Sequence, residues 1–317
     1  MTYDVLTIGE SLGLTVATDV GTPMRGDHLR LTFGGAESNV AIGVARLGGA
    51  AAWVGRLGDD ALGDLIVREL RGEGVSVFAA HDAEAPTSLM MKSRPRPGAT
   101  AVAFYRRGLA GSRLSADDIP ADAIRAAKIL HITGISAALA ESARAALHAA
   151  IDIAREAGVT VSFDVNHRAS LLPDPTVARE IYGGLAERAD IVFAGDDEAE
   201  ILTGERDHTA QAQALLARGA HTAVVKLGDD GALAMTNAGQ TVRVAAVPIA
   251  AVDTVGAGDA FVAGFLAETA QGLPVADCMA TAVATGAYAC LSHGDWEAAP
   301  TRRDLDRFLS TGDPVSR

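Results

Sequence analysis

Residues 129–164 read ILHITGISAALAESARAALHAAIDIAREAGVTVSFD, and the fold class follows from this stretch. It opens on a short β-branched run, Ile129–Thr133, passes through an amphipathic run, Glu141–Ala157, and closes on a second short run, Thr160–Asp164. Two short strands separated by a helix of that length predict a parallel pair joined by a crossover. The alternation continues on both sides, with strands expected at Val5–Gly9, Ala52–Arg56, Ile191–Phe193 and Ala223–Leu227. Helices are expected at Ser38–Leu47, Leu62–Arg71, Thr176–Arg188, Glu198–Leu202 and Gln211–Ala217, and the chain ends helically at Asp259–Thr269, Val275–Leu291 and Asp304–Leu309. The reading is an α/β fold with a doubly wound, mostly parallel sheet, helices on both faces and ligands beyond the carboxyl ends of the strands.

Two segments break the alternation. Leu12–Phe33 and Pro86–Arg107 look like alternating, half-exposed strands, clearest at Ser88-Leu-Met-Met-Lys92 and Ala101-Val-Ala-Phe-Tyr-Arg106, which have no helix between them. They predict a small antiparallel appendage, either a lid over the ligand end or an edge hairpin. No repeat or low-complexity linker interrupts the chain. The simplest organisation is a single α/β domain over residues 1–317, with lid segments at about 12–33 and 86–107.

Charge narrows the class of partner. Forty acidic residues against 27 basic ones give a net charge of -13, which repels nucleic acid and anionic membrane surfaces and leaves small molecules. Aromatics are only 4%, so Ala, Val, Leu and Ile must fill the core. The two cysteines, Cys278 and Cys290, have no metal-ligand spacing and read as buried small hydrophobes in a reducing compartment. The N-terminus lacks a basic region and a cleavage site, and the apolar stretch Val247–Leu266 is broken by Asp253, Asp259 and three glycines. The expectation is a cytoplasmic protein.

The strongest chemical motif is Asp253-Thr-Val-Gly256-Ala257-Gly258-Asp259-Ala260-Phe261. Small residues directly before a helix let several backbone N–H groups face one anion, and the helix dipole adds to their pull. Asp259, in the first helical turn, would sit beside that anion and could take a proton from an attacking hydroxyl. The alternative is a glycine-rich turn with Asp259 as a helix-capping acid. The loop is neither a Walker A motif nor a GxGxxG fingerprint, because Lys-Ser/Thr and the third glycine are missing.

With a second motif, the chain resembles the ribokinase-like, or PfkB, family of carbohydrate kinases. Asp253-Thr-Val-Gly-Ala-Gly-Asp259 matches the C-terminal signature, and Gly34-Gly35-Ala36-Glu37-Ser38-Asn39-Val40-Ala41, continuing to Ala45-Arg46-Leu47-Gly48, matches the N-terminal one. Gly55-Arg-Leu-Gly58-Asp59-Asp60-Ala-Leu-Gly63 follows in family order, and the resemblance spans about Ile8 to Pro300. It implies a ribokinase-like fold with a small β-strand lid, ATP and Mg2+ as cofactors, and a homo-oligomer, since lids of this family often pair between subunits. It assigns catalysis to Asp259 with Gly256, Ala257 and Gly258, and substrate contact to Gly34, Gly35 and Asn39. A monovalent cation (K+) near Asp253 is a further expectation.

Within the family the chain looks most like the 2-keto-3-deoxygluconate kinases. Phe104-Tyr105-Arg106-Arg107-Gly-Leu-Ala-Gly-Ser112, Phe163-Asp164-Val165-Asn166-His167-Arg168 and Ser292-His-Gly-Asp295 carry that likeness. A sugar-acid carboxylate suits arginine, which offers two parallel hydrogen bonds. Arg106 and Arg168 are therefore expected on the carboxylate, with Tyr105 and Asp295 on hydroxyls. Alternation puts Tyr105 on the face opposite Phe104 and Arg106 unless the strand bulges. For the nucleotide, the likeness implies Asn166 near the phosphates and the turn Lys226-Leu-Gly228-Asp-Asp-Gly231 around phosphates and ribose; Lys226 is one of three lysines. The small residues of Val275–Leu291 would leave room for adenine or simply pack closely.

Two departures stand out. Gly195 occupies the family's asparagine position in the Asn-x-x-Glu segment that organises magnesium through water, while Glu198 is kept and remains the outer-shell candidate. Met90 stands where this subgroup tends to have a lid tyrosine. The rival readings are a fructokinase- or ribokinase-type enzyme and a catalytically silent sugar-binding regulator.

Overall fold

The computed structural model describes residues 2–96 and 99–310. Pro97 and Gly98 of the second expected lid segment, and residues 1 and 311–317 of the expected domain, lie outside the described residues. In chain order the strands are β1 (Tyr3–Ile8), β2 (Leu12–Val20), β3 (Leu29–Gly34), β4 (Ala51–Gly58), β5 (Ser76–Asp82), β6 (Leu89–Arg96), β7 (Ala99–Tyr105), β8 (Ala127–Thr133), β9 (Thr160–Asp164), β10 (Ile191–Gly195), β11 (Thr222–Lys226), β12 (Ala232–Thr236) and β13 (Thr241–Val244). The helices are α1 (Ala36–Arg46), α2 (Ala61–Gly72), α3 (Ala121–Arg125), α4 (Gly134–Leu139), α5 (Glu141–Glu156), α6 (Pro175–Ala186), α7 (Asp196–Thr203), α8 (His208–Ala217), α9 (Ala257–Ala270), α10 (Val275–Ala289) and α11 (Arg302–Leu309).

Nine strands form one sheet in the order β13-β12-β11-β10-β9-β8-β1-β4-β5, parallel from β5 to β11 and antiparallel at β12 and β13. Successive residues of its central strands enter opposite cores. Leu6 and Leu130 join the cluster under α5 with Leu147 and Ile151, whereas Val5 and Ile129 join the cluster under α1, α9 and α10. This period-2 division explains why the strands read as unbroken apolar runs: helices cover both faces. Cys278 and Cys290 are free and buried. No described helix is long and apolar enough to cross a membrane.

The second sheet has the order β3-β2-β6-β7. Its outer pairs are antiparallel hairpins, but the central pair β2–β6 is parallel. The expected antiparallel appendage is therefore a mixed sheet, because each segment folds as its own hairpin and the two hairpins meet first strand to first strand. Cross-strand neighbours Met90↔Phe104 and Lys92↔Val102 put four side chains on the face that closes over the carboxyl ends of the large sheet.

Candidate active site

The turn Val255–Gly256 ahead of α9 forms the wall between two cavities. Gly256 caps the helix with a left-handed φ of 77°, and a Cβ there would stand 2.0 Å from the Asp295 carbonyl oxygen. Only glycine meets both conditions. Gly256→Ala should lower stability by about 1–3 kcal/mol, read as a reduced urea midpoint, and lower turnover with it. A variant with wild-type midpoint and rate would contradict this placement. The Ala257 amide donates to Thr254 O at 3.3 Å and that of Ala260 to Gly256 O at 2.9 Å, whereas the amides of Gly258 and Asp259 meet no acceptor among the described residues. Two donors at a helix N-terminus are thus left for an anion.

Helix packing sets the carboxylate. A Cβ on Gly43 would lie 2.5 Å from the Ala263 Cβ, so α1 and α9 touch closely there. Asn39 and Asp259 each lie four residues earlier on the same helix faces, and the Asn39 Nδ2 donates to Asp259 Oδ2 at 2.8 Å. Burial pushes the Asp259 carboxyl up to about 7, against the lowering effect of the Asn39 bond.

The first cavity, about 250 Å³, holds Asp259, Asn39, Gly35, Gly256, Arg106, Arg168 and Asp295 in its lining. The second, about 240 Å³, lies on the other side of the turn, between Lys226, Gly228, Gly231, Ala257, Gly258 and the small residues Gly286 and Ala287 of α10. The expected catalytic turn, the acid-binding arginines and the nucleotide turn therefore meet around one helix end. Gly231, at φ 93°, would place a Cβ 2.0 Å from Val244 O, so it admits the neighbouring strand rather than only a ligand.

Several expected residues are placed differently. Tyr105 is 56% exposed and lines neither cavity, while Phe104 and Arg106 do line the first. Strand alternation prevails here; no bulge turns Tyr105 inward. Gly34 is outside the lining, and a Cβ on it would come within 2.2 Å of Asp295 Oδ2, so it makes room for that carboxylate. Asn166, left-handed at φ 40°, is buried where the chain leaves β9 and borders neither cavity. The Glu198 carboxylate accepts from the amides of Gly195 at 2.7 Å and His167 at 2.8 Å, capping α7.

The structure also brings in residues that motif reading passed over. Glu10 is buried and takes Arg106 through Nε at 2.8 Å and through a second, shorter contact; Ser88 Oγ donates to its other oxygen at 2.6 Å. Burial pushes the Glu10 carboxyl up, against Arg106 and Ser88. One edge of the Arg106 guanidinium is therefore occupied. Glu37 of the N-terminal motif is buried beneath Gly9 and accepts from Thr133 and Ser136 Oγ, each at 2.7 Å. Lys226 Nζ holds both oxygens of Asp164, at 2.8 and 2.9 Å. Burial opposes the charge on Lys226, but the carboxylates of Asp164 and Glu198 outweigh it and raise its pKa. Lys92 reaches from β6 to Asp253 at 3.3 Å and to Asp295 at 3.8 Å, so an ammonium already neighbours the carboxylate expected beside K+. No cluster of three or more His, Cys, Asp or Glu side chains fit to hold a metal occurs among the described residues.

An acid at a shared wall, with free amides beside it and a cavity on each side, is an arrangement for moving an anionic group between two bound molecules. Residues 3–302 match the pfkB family of carbohydrate kinases, and the chain belongs to that family: it is a carbohydrate kinase with the ribokinase-like fold. Within the family it resembles the 2-dehydro-3-deoxygluconokinases, "2-dehydro" and "2-keto" being names for one acid. It is 38% identical to the 2-dehydro-3-deoxygluconokinase of Bacillus subtilis (strain 168), over 98% of this chain and 96% of that one. The crystal structure of a PfkB protein from Polaromonas sp. JS666 matches with a TM-score of 0.86 at 35% identity, covering 96% of this chain and 99% of the other. Fructokinase from Xylella fastidiosa, solved with bound ATP, matches with a TM-score of 0.85 at 26% identity, covering 97% and 98%.

Proposed function

We propose that the protein transfers the γ-phosphoryl group of ATP to the terminal hydroxyl of a six-carbon sugar acid, 2-keto-3-deoxygluconate, to give its 6-phosphate. The observation that carries this reading is the position of Asp259: its carboxylate lines the cavity that also holds Arg106 and Arg168, next to Ala257 and Gly258, which border the other cavity. The sugar acid occupies the first cavity and ATP the second; the related fructokinase from Xylella fastidiosa was solved with bound ATP.

In this mechanism Asp259 takes the proton of the attacking hydroxyl as the oxygen–phosphorus bond forms and ADP leaves. A base near neutral is poised for that task. The Gly258 and Asp259 amides and the α9 dipole stabilise charge on the phosphoryl group in flight. Arg168 and the free edge of Arg106 hold the substrate carboxylate, and Asp295 accepts from a hydroxyl. Mg2+ needs only one or two carboxylates; Asp164 and Glu198, whose charges act on Lys226 at the edge of the second cavity, would hold it through water, and when bound it would neutralise phosphate charge. The second sheet, closing over the first cavity, excludes water that would otherwise hydrolyse ATP.

Two observations favour a neutral sugar instead: Glu10 already pairs with Arg106, and Met90 offers no hydroxyl in the cavity lining. ADP formation measured over keto-deoxy acids, aldoses and ketoses separates the readings. The sugar-acid reading expects the highest kcat/KM on 2-keto-3-deoxygluconate. A better value on fructose or ribose would reject it.

A further inference from the structure

Two residues, Lys92 and Asp295, line both the first cavity and a larger one of about 550 Å³ behind it. They form the partition between them. The outer cavity runs along β2 and is edged by Arg30, Arg94 and Arg96. Lys92 arises from the second sheet, while Asp295 and Asp253 belong to loops anchored on the large one, so the ammonium spans the two sheets. The residue is 8% exposed, although lysine seldom accepts such burial without paired charge. Asp295 is 7% exposed, and its Oδ1, 3.8 Å from the ammonium, has no hydrogen-bond partner. A buried carboxylate oxygen left unpartnered is costly, and this one belongs to a group that faces the sugar cavity.

We propose that Lys92 is a positioning residue for sugar binding: its ammonium, held between Asp253 and Asp295, closes the outer wall of the sugar cavity and keeps the Asp295 carboxylate ionised to accept a hydroxyl of the sugar. The inference rests on the placement of the sugar in the first cavity, but not on whether that sugar is an acid.

The charges facing Asp295 are Lys92, Asp253, Glu297 and Arg30, with His293 3.6 Å from Asp253. Burial pushes the Asp295 carboxyl up to about 6; Lys92 lowers it, while Glu297 and Asp253 raise it further. Loss of Lys92 therefore removes the main opposing charge, and the acid becomes neutral at a higher pH. A neutral Asp295 still fills its space but loses acceptor strength toward a hydroxyl.

The test uses the full-length kinase and whichever sugar the wild type phosphorylates best. Lys92→Met should raise KM for that sugar severalfold at pH 6 and little at pH 8, with KM for ATP changed less than twofold at both. The acid limb of sugar binding, titrated in an Asp259→Asn background so that the Asp259 carboxyl does not contribute, should move to higher pH. Lys92→Arg, which keeps the charge, should bring the limb back. An unmoved limb, equal rises in both KM values, or an arginine variant that behaves like methionine would each overturn the proposal. Because the panel of sugars decides the acid reading separately, failure here and failure there are distinguishable.

Discussion

Replacing Asp259 by asparagine is expected to lower kcat by roughly 10²–10⁴-fold, the usual contribution of a general base, while sugar and ATP binding stay within a few fold. The asparagine keeps the shape and can still accept from Asn39 Nδ2, which lies 2.8 Å away. Folding should not suffer. Burial holds the native carboxyl near 7, above its unfolded value, so the charged form costs stability as pH rises through that range. At pH 8 the neutral variant should melt no lower than the wild type. Single-turnover rates beside equilibrium binding check both halves, and near-wild-type turnover would end the assignment of Asp259 as the base.

The second large effect is on stability. Lys226→Met should cost about 3–5 kcal/mol, because it leaves the Asp164 carboxylate buried without its partner. Asp164 is 2% exposed and both its oxygens rest on the ammonium. Burial already pushes that carboxyl up, with Lys226 the leading opposing charge. Without the lysine, the folded state prefers the neutral acid more strongly. The deficit should therefore be largest at pH 8 and shrink toward pH 5, as protonation removes the unpaired charge. Urea midpoints of variant and wild type at the two pH values measure it. KM for ATP should rise as well, since Lys226 borders the cavity assigned to the nucleotide. A lysine serving only a bound phosphate would raise KM without moving the midpoint, so a pH-independent, wild-type midpoint would remove the structural half of this account.

Much of the large sheet was legible because its strands are central. Ile129–Thr133 and Thr160–Asp164 are covered on both faces and read as apolar runs with clear ends, and the structure extends the first by only two residues, to Ala127. β5 and β13 escaped notice for the opposite reason. They are the two edge strands: Ser76–Asp82 is half-buried along most of its length and carries only the short apolar run Val77–Ala80, and Thr241–Val244 is four residues long with every other one exposed. The two hairpins of the second sheet were visible locally. Their parallel junction, Gly13↔Leu89 to Val16↔Lys92, depends on a pairing across some seventy residues that no local pattern encodes.

The same limit governs the site. Gly256–Asp259 and Asn39 were readable because each opens a helix beside small residues. The charge partners were not: Glu10 lies 96 positions from Arg106, and Asp253 161 from Lys92. Pairing changes what each residue can do. Arg106 reads as a free cation for a carboxylate until Glu10 is placed against it, and Gly34 reads as a ligand contact until Asp295 takes its space. Lys92 left one clue, its rarity as one of three lysines on a strand otherwise rich in arginine. For Tyr105, alternation alone pointed outward, and the exposed ring follows that rule.

The most direct measurement is the pH dependence of kcat/KM for the wild type and for Asp259→Asn, with the best sugar from the panel. The account predicts an acid limb near pH 7 in the wild type and, in the variant, a low profile that lacks this limb and keeps only the one near pH 6 that Asp295 gives to sugar binding. An identical limb in both enzymes would show that another group supplies the base and that the carboxylate beside the Gly256–Gly258 turn does not receive the proton.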